Sequence, residues 1–240
     1  TLAQRLQSAT KELENLRSHV LHMGGVVERQ IADAISALED GDTQLAASVV
    51  GGDLQVNALE LNLDEECSRI LARRQPAAGD LRLIFAVIKT VTDLERIGDQ
   101  AERVARTVLE LANAEPGRSR PTMRHMGDLA RRLLNKALDA FARMDVSAAL
   151  EVEREDMEVD REYEAVLRQL VTYMMEDPRT ITWALNLVWA ARALERIGDH
   201  SKNIAEYVIY LVQGKDVRHV SIEERERQVR GDMSGQPPTA

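Results

Sequence analysis

The sequence predicts an all-α fold built as two tandem pseudo-symmetric up-down-up three-helix bundles, on three observations. Only 3% of residues are aromatic while Ala, Leu, Glu and Arg abound, a mixture with high helix and low strand propensity. From Gln4 to Gly214 apolar residues recur at helical spacing, with few interruptions. The second half of the chain also repeats the first.

The interruptions delimit the helices in order. The first ends at Glu39-Asp40-Gly41-Asp42, where a glycine stop meets an aspartate start, so Asp42 opens the second. That helix ends at Gln75-Pro76, and Asp80 is the expected N-cap of the third. Ala114 to Pro121 (AEPGRSRP) is the segment richest in Pro, Gly and Ser and separates the halves. Asp145 caps the fifth helix, and Asp177-Pro178 gives the sixth an aspartate cap with proline at its first position. The expected organisation is a first repeat at 4–113, a linker at 114–121, a second repeat at 122–214 and a mobile tail at 215–240, where the apolar rhythm is lost.

The repeat has a register. His22-Met23-Gly24 falls on His125-Met126-Gly127 at an offset of 103, as do Asp42 on Asp145, Asp53 on Asp156 and Val56 on Val159. Leu94-Glu95-Arg96-Ile97-Gly98-Asp99 then falls on Leu194-Glu195-Arg196-Ile197-Gly198-Asp199 at an offset of 100. The change of three lies at the expected turn between second and third helices, where an indel leaves both flanking helices in phase. Helices of about 30 residues span about 45 Å, and short connections make neighbours antiparallel. In the third helix Val87, Val91, Leu94, Gly98, Ala101, Ala105, Val108 and Ala112 form a bundle seam, in which Gly98 is a packing glycine.

Composition excludes several function classes. A net charge of −9, from 40 acidic and 31 basic residues, opposes direct nucleic-acid binding. The single cysteine, Cys67, reads as a buried small hydrophobe in a reducing compartment. No segment reaches the ~18 apolar residues of a membrane span, and Thr1 to Glu14 lacks the apolar run of a secretory signal, so a cytoplasmic location is expected, with any membrane contact made through partners. No Gly-rich phosphate loop, nucleophile elbow or Cys-His knuckle occurs, and no histidine follows a glutamate at the Glu-x-x-His spacing of di-iron bundles, so an enzyme is not expected.

The chemistry-bearing feature is acidic. Glu95 and Asp99, and again Glu195 and Asp199, are four apart and project from one helix face, where like charges repel. Asp53 and Asn57 on the second helix, and Asp156 and Asp160 on the fifth, are placed to face them, making a four-oxygen cluster in each bundle. Such oxygens suit hard cations: magnesium, manganese, zinc or iron. The alternative is salt bridging with Arg96, Arg103 or Arg196. His200 follows Asp199 and could approach a cation, whereas its counterpart is Gln100. His22 and His125 read as structural residues at helix starts, and His19 with His22 is a weak metal pattern.

Ala72-Arg73-Arg74-Gln75-Pro76, Asp80-Leu81-Arg82, the two Glu-Arg-Ile-Gly-Asp segments and Asn203-Ile204-Ala205-Glu206 together resemble the PhoU family of bacterial phosphate-transport regulators, over about Leu6 to Gly214. The resemblance implies a cytoplasmic homodimer of helical bundles that restrains phosphate uptake and the phosphate-starvation response. Its implied partners are the nucleotide-binding subunit of the phosphate ABC transporter and the phosphate-sensing histidine kinase, and its acidic motifs bind cations in some members. Asn57 stands where the family often has a carboxylate. That difference, with Gln100 against His200, leads to the expectation that the second cluster binds a cation more tightly. A helical metal-binding or storage protein is the competing class.

Overall fold

The turn between the first two helices shows how local chemistry sets the architecture. In the computed structural model, which describes residues 2–73, 76–114, 121–214, 220, 223, 224 and 227, helix α1 (Leu2–Asp40) stops at Gly41, whose φ of 67° is left-handed. The Asp42 amide donates to Ala37 O at 3.1 Å, closing a Schellman turn, and Asp42 Oδ1 accepts from the amides of Gln44 (3.0 Å) and Leu45 (2.9 Å) to open α2 (Thr43–Arg73). The same turn recurs between α4 (Arg124–Arg143) and α5 (Val146–Glu176). There Asp145 N donates to Ala140 O at 3.0 Å and Asp145 Oδ1 accepts from Ala148 N at 3.0 Å. In this copy Met144, not glycine, takes the left-handed φ of 55°.

Two caps differ from expectation. Helix α3 (Ala78–Ala114) begins before Asp80, with Leu81 N donating to Ala77 O at 2.9 Å, so Asp80 lies within the first turn. Its carboxylate faces the positive end of the helix dipole and does not cap. Asp177 does cap, with Oδ1 accepting from Arg179 N at 3.1 Å, but it caps a 3-10 turn at Pro178–Thr180 that leads into α6 (Ile181–Gln213). Thr180 Oγ1 donates to Tyr173 O at 3.1 Å and ties this turn back to α5. His22 sits well inside α1, while His125 lies in the first turn of α4. Residues 115–120 of the expected linker, and the expected tail apart from four isolated positions, lie outside the described residues.

Helices α1, α2 and α3 pack on one another, as do α4, α5 and α6, while α3 packs on α6 and α1 on α4. The buried apolar side chains therefore form one continuous core. Val87, Val91, Leu94, Ala101, Ala105 and Val108 are all fully buried along the expected seam. Across α1 and α4 the contacts are reciprocal. A Cβ on Gly24 would stand 2.6 Å from Leu138 Cδ1, and one on Gly127 would stand 2.6 Å from Ile35 Cδ1; Ile35 and Leu138 are themselves counterparts in the repeat. This is the self-complementary pattern of a two-fold interface, here within one chain. Glu39 at the end of α1 adds a direct tie to α4: Oε1 accepts from Met123 N at 2.7 Å and Oε2 from Thr122 Oγ1 at 2.8 Å.

Helices α3 and α6 run antiparallel: Lys89 lies over the Tyr207 ring and Arg103 over the Trp189 ring at 5.7 Å. The Glu-Arg-Ile-Gly-Asp segments therefore meet near the middle of the interface, and each faces the outer helix of its own bundle. Cys67 is buried in α2, and burial with the nearby Asp64 and Glu66 charges pushes its thiol up to about 12, so it is inert at neutral pH.

Candidate metal centre

In the first bundle α2 and α3 place Asp53 opposite Asp99. Glu102 joins them, one carboxylate oxygen from each of the three lying within 4.8 Å of the others. Asn57 Nδ2 donates to Asp53 Oδ2 at 2.9 Å, so the amide orients Asp53, while Asp53 Oδ1 is buried with no hydrogen-bond donor. Glu102 is in turn held by Arg106, whose Nε donates to Oε1 at 2.9 Å. Glu95 belongs to the same electrostatic unit. Burial, then the charges of Asp99, Glu60 and Asp53, push its carboxyl above the ordinary range against the pull of Arg96. Asp99 is raised by burial and by Asp53 and Glu102, and Glu60 by burial and by Asp64 and Asp99. The cluster is short of positive charge.

Glu60 and Glu102 are not marked by the duplication, because their counterparts are Tyr163 and Lys202. The usable signal was helical spacing: Glu60 is three residues after Asn57, and Glu102 three after Asp99. Gln30 of α1 is likewise unmarked. It is 8% exposed, its Oε1 accepts no hydrogen bond, and its amide lies against Gly52 and Gly98, beside Asp53 and Asp99 in sequence. Its counterpart under the second cluster is Leu133, so the two floors differ in polarity.

The second cluster is built from the same positions with a different outcome. Asp156 is 3% exposed and Glu195 8%, whereas Asp160 is exposed. Lys202 occupies the counterpart position of Glu102. Its Nζ lies 2.7 Å from Asp156 Oδ2 and 3.7 Å from Asp199 Oδ1. Glu195 Oε1 accepts from Arg192 Nη1 at 2.8 Å, and burial with the Asp199 charge nevertheless keeps the Glu195 carboxyl above its ordinary range. Burial likewise raises Asp156 against the Lys202 hydrogen bond. Burial works to lower Lys202, but the bond to Asp156 and the charges of Asp156, Asp199 and Asp160 together raise it, so it stays charged. The arginines expected to neutralise the acids do so only in part. Arg96 acts on Glu95 and Asp99 through its charge, Arg103 lies over Trp189, and Glu195 uses Arg192.

The two repeated glycines differ in what they face, and the expectation for His200 is corrected. Gly98 is a packing glycine, facing Val56, but a Cβ on Gly198 would stand 2.7 Å from Asp156 Oδ1, so Gly198 makes room for a buried carboxylate. His200 does not turn to its own cluster. It is buried with Nδ1 2.7 Å from Asp93 Oδ1, and Asp93 also accepts from Asn203 Nδ2 (3.2 Å) and Tyr207 Oη (2.7 Å). With His200 engaged elsewhere, the second cluster holds the Lys202 ammonium among its acids where the first holds a third carboxylate, although each cluster keeps buried carboxylate oxygens without a donor. Among the other histidines, His19 Nδ1 lies 2.8 Å from Glu66 Oε2 and His22 is exposed.

Two three-helix bundles related by an internal two-fold, each with acids on facing helices, define the class: a duplicated all-helical protein with an acidic cluster in each half. The PhoU domain model matches residues 20–108 and 123–208, one span in each bundle, and the chain belongs to the PhoU family. It is 54% identical to the phosphate-specific transport system accessory protein PhoU homolog of Pseudomonas aeruginosa, over 94% of each chain. It is 46% identical to the Escherichia coli phosphate-specific transport system accessory protein PhoU, over 93% of this chain and 92% of that one. The fold matches the crystal structure of PhoU from Pseudomonas aeruginosa with a TM-score of 0.82 at 56% identity, covering 86% of this chain and 99% of that chain. The PhoU phosphate transport system regulatory protein from Streptococcus pneumoniae superposes with a TM-score of 0.81 at 28% identity, over 87% and 99% of the two chains. No helix among the described residues is long and apolar enough to cross a membrane.

Proposed function

We propose that this chain is a negative regulator of phosphate uptake and of the phosphate-starvation two-component response. It acts as a cytoplasmic, homodimeric adaptor between the nucleotide-binding subunit of the phosphate ABC transporter and the phosphate-sensing histidine kinase. The observation that carries the reading is family membership across both bundles, with relatives of nearly full-length similarity named as accessory proteins of phosphate-specific transport. An adaptor needs surface and rigidity instead of a reaction centre. Six long helices sharing one continuous core supply that.

The first acidic cluster is the regulatory element in this reading. Asp53, Asp99 and Glu102 would hold a divalent cation, with Glu95 and Glu60 adding negative field; hard oxygen donors of this kind suit magnesium, manganese or iron. The buried, donor-less Asp53 Oδ1 fits such an occupant. A bound cation would supply positive charge that relieves the repulsion among these acids and fixes α2 against α3.

The test is complementation of a Pseudomonas aeruginosa strain lacking its own PhoU homolog, read with a phosphate-starvation reporter in phosphate-rich medium. The wild-type chain should restore repression, and an Asp53→Asn/Asp99→Asn variant produced at equal level should restore it less. A well-produced wild-type chain that leaves the reporter derepressed contradicts the regulatory reading. Equal repression by the variant contradicts the role given to the cluster.

A further inference from the structure

The repeat places Glu102 and Lys202 at the same position of α3 and α6, and this single difference inverts the charge at the centre of the two clusters. In the first bundle Glu102 brings a third carboxylate oxygen to Asp53 and Asp99. In the second, an ammonium stands 2.7 Å from Asp156 Oδ2 and 3.7 Å from Asp199 Oδ1, the counterparts of Asp53 and Asp99. A four-carbon stem tethers it to the helix that carries Asp199, so it needs no capture from solution.

We propose that Lys202 is a built-in counter-ion that keeps divalent cations out of the second cluster, so that this chain takes its cation in the first bundle only. The proposal rests on the reading of the first cluster as a cation site. A divalent ion entering beside Asp156 must displace the ammonium and then sit close to it, because the stem reaches only a few ångströms. The remaining ligands are otherwise suited to a cation. Asp156 and Glu195 are each more than nine-tenths buried, and Asp156 Oδ1 and Glu195 Oε2 have no hydrogen-bond donor. Lysine therefore occupies a site whose oxygens retain unused capacity. Sequence counterparts alone, Asp160 for Asn57 and His200 for Gln100, suggest the opposite ranking, and the position of Nζ decides against it.

The experiment is manganese binding to the full chain by equilibrium dialysis, with circular dichroism melting as a control for folding. Four proteins are compared: wild type, Lys202→Glu, Lys202→Gln, and Asp99→Asn/Glu102→Gln. Wild type should bind one manganese, lost in the first-cluster double variant. Lys202→Glu should bind two, and Lys202→Gln should gain a second, weaker equivalent, because it removes the charge while adding no ligand charge. A manganese-dependent rise in melting temperature should accompany the gain. Two equivalents in wild type would overturn the proposal, as would Lys202→Gln binding no more than wild type. Should Lys202→Glu fail to fold, Lys202→Gln alone decides. If wild type binds none and a Lys202 variant binds one, the exclusion of cations by Lys202 stands and the first-cluster reading, with binding in the first bundle, falls. If wild type binds one and neither variant adds to it, the reverse holds.

Discussion

His200 Nδ1 lies 2.7 Å from Asp93 Oδ1 in the buried contact between α6 and α3, and both side chains are less than 10% exposed. Asn203 adds a second contact to Oδ1 and Tyr207 donates to Oδ2, so a carboxylate from one bundle is solvated by three side chains of the other. Removing one partner from such a group costs far more than the contact contributes. His200→Ala should lower stability by about 3 kcal/mol. Asp93→Ala in the His200→Ala background should cost little more, because the stranded carboxylate is gone. A double-mutant cycle by urea unfolding checks both. Additive losses would show that the two side chains are not coupled.

The α1–α4 interface separates three neighbouring or equivalent glycines by what surrounds them. A Cβ on Gly127 meets Ile35 at Cδ1, Cγ1 and Cγ2, a β-branched side chain stiff at χ1, whereas on Gly24 it meets Cδ1, Cδ2 and Cγ of Leu138, whose side chain is not β-branched and turns more freely. Gly25 has nothing within 4 Å. Gly127→Ala should destabilise by about 1 to 2 kcal/mol after the helix-propensity gain, and Gly25→Ala should stabilise by about 0.5 to 1 kcal/mol. Gly24→Ala should fall between them. Thermal melting of the three variants tests the order.

Gly41 and Met144 hold the same turn position with different side chains. Gly41→Ala forces a Cβ onto a left-handed residue and should cost about 1 kcal/mol. Denaturant midpoints report this directly, and an unchanged midpoint would mean the turn relaxes to another geometry.

The first cluster also sets a pH dependence. Glu95, Asp99 and Glu60 all have folded-state pKa values raised above their ordinary ones, so the folded chain binds more protons than the unfolded chain in the window between those values. Within that window this contribution to stability is lost as pH rises and regained as it falls. In chelator, wild type should gain stability relative to Asp99→Asn as pH drops from about 7.5 toward the ordinary carboxylate range of about 4 to 4.5, because the variant removes one charge from the cluster. Melting both proteins across that range tests the sign, and an identical pH response in the two would contradict it.

Much of this organisation was legible in the chain because the repeat constrains it twice. Asp42 and Asp145 are both visible as caps, and the three-residue change of register falls where α5 gives way to a 3-10 turn before α6. Asp80 misled because an aspartate near a helix start serves equally well inside the first turn, where only the dipole is involved. Duplication also guided the site reading to Glu95, Asp99, Glu195 and Asp199, and for the same reason hid what differs between copies. Glu102 and Lys202, Gln30 and Leu133, and Asp93 and Ala193 are unmatched pairs, and these decide which cluster lacks compensation. That His200 would reach across to Asp93 depends on how α3 crosses α6, a packing relation that helical periodicity does not encode.

Anomalous diffraction from crystals of the full chain grown with manganese tests the account most directly. A single anomalous peak among Asp53, Asp99 and Glu102, with none between Asp156 and Asp199, is the predicted result. A peak at the second cluster of the wild-type chain, or none at the first under saturating manganese, would contradict it.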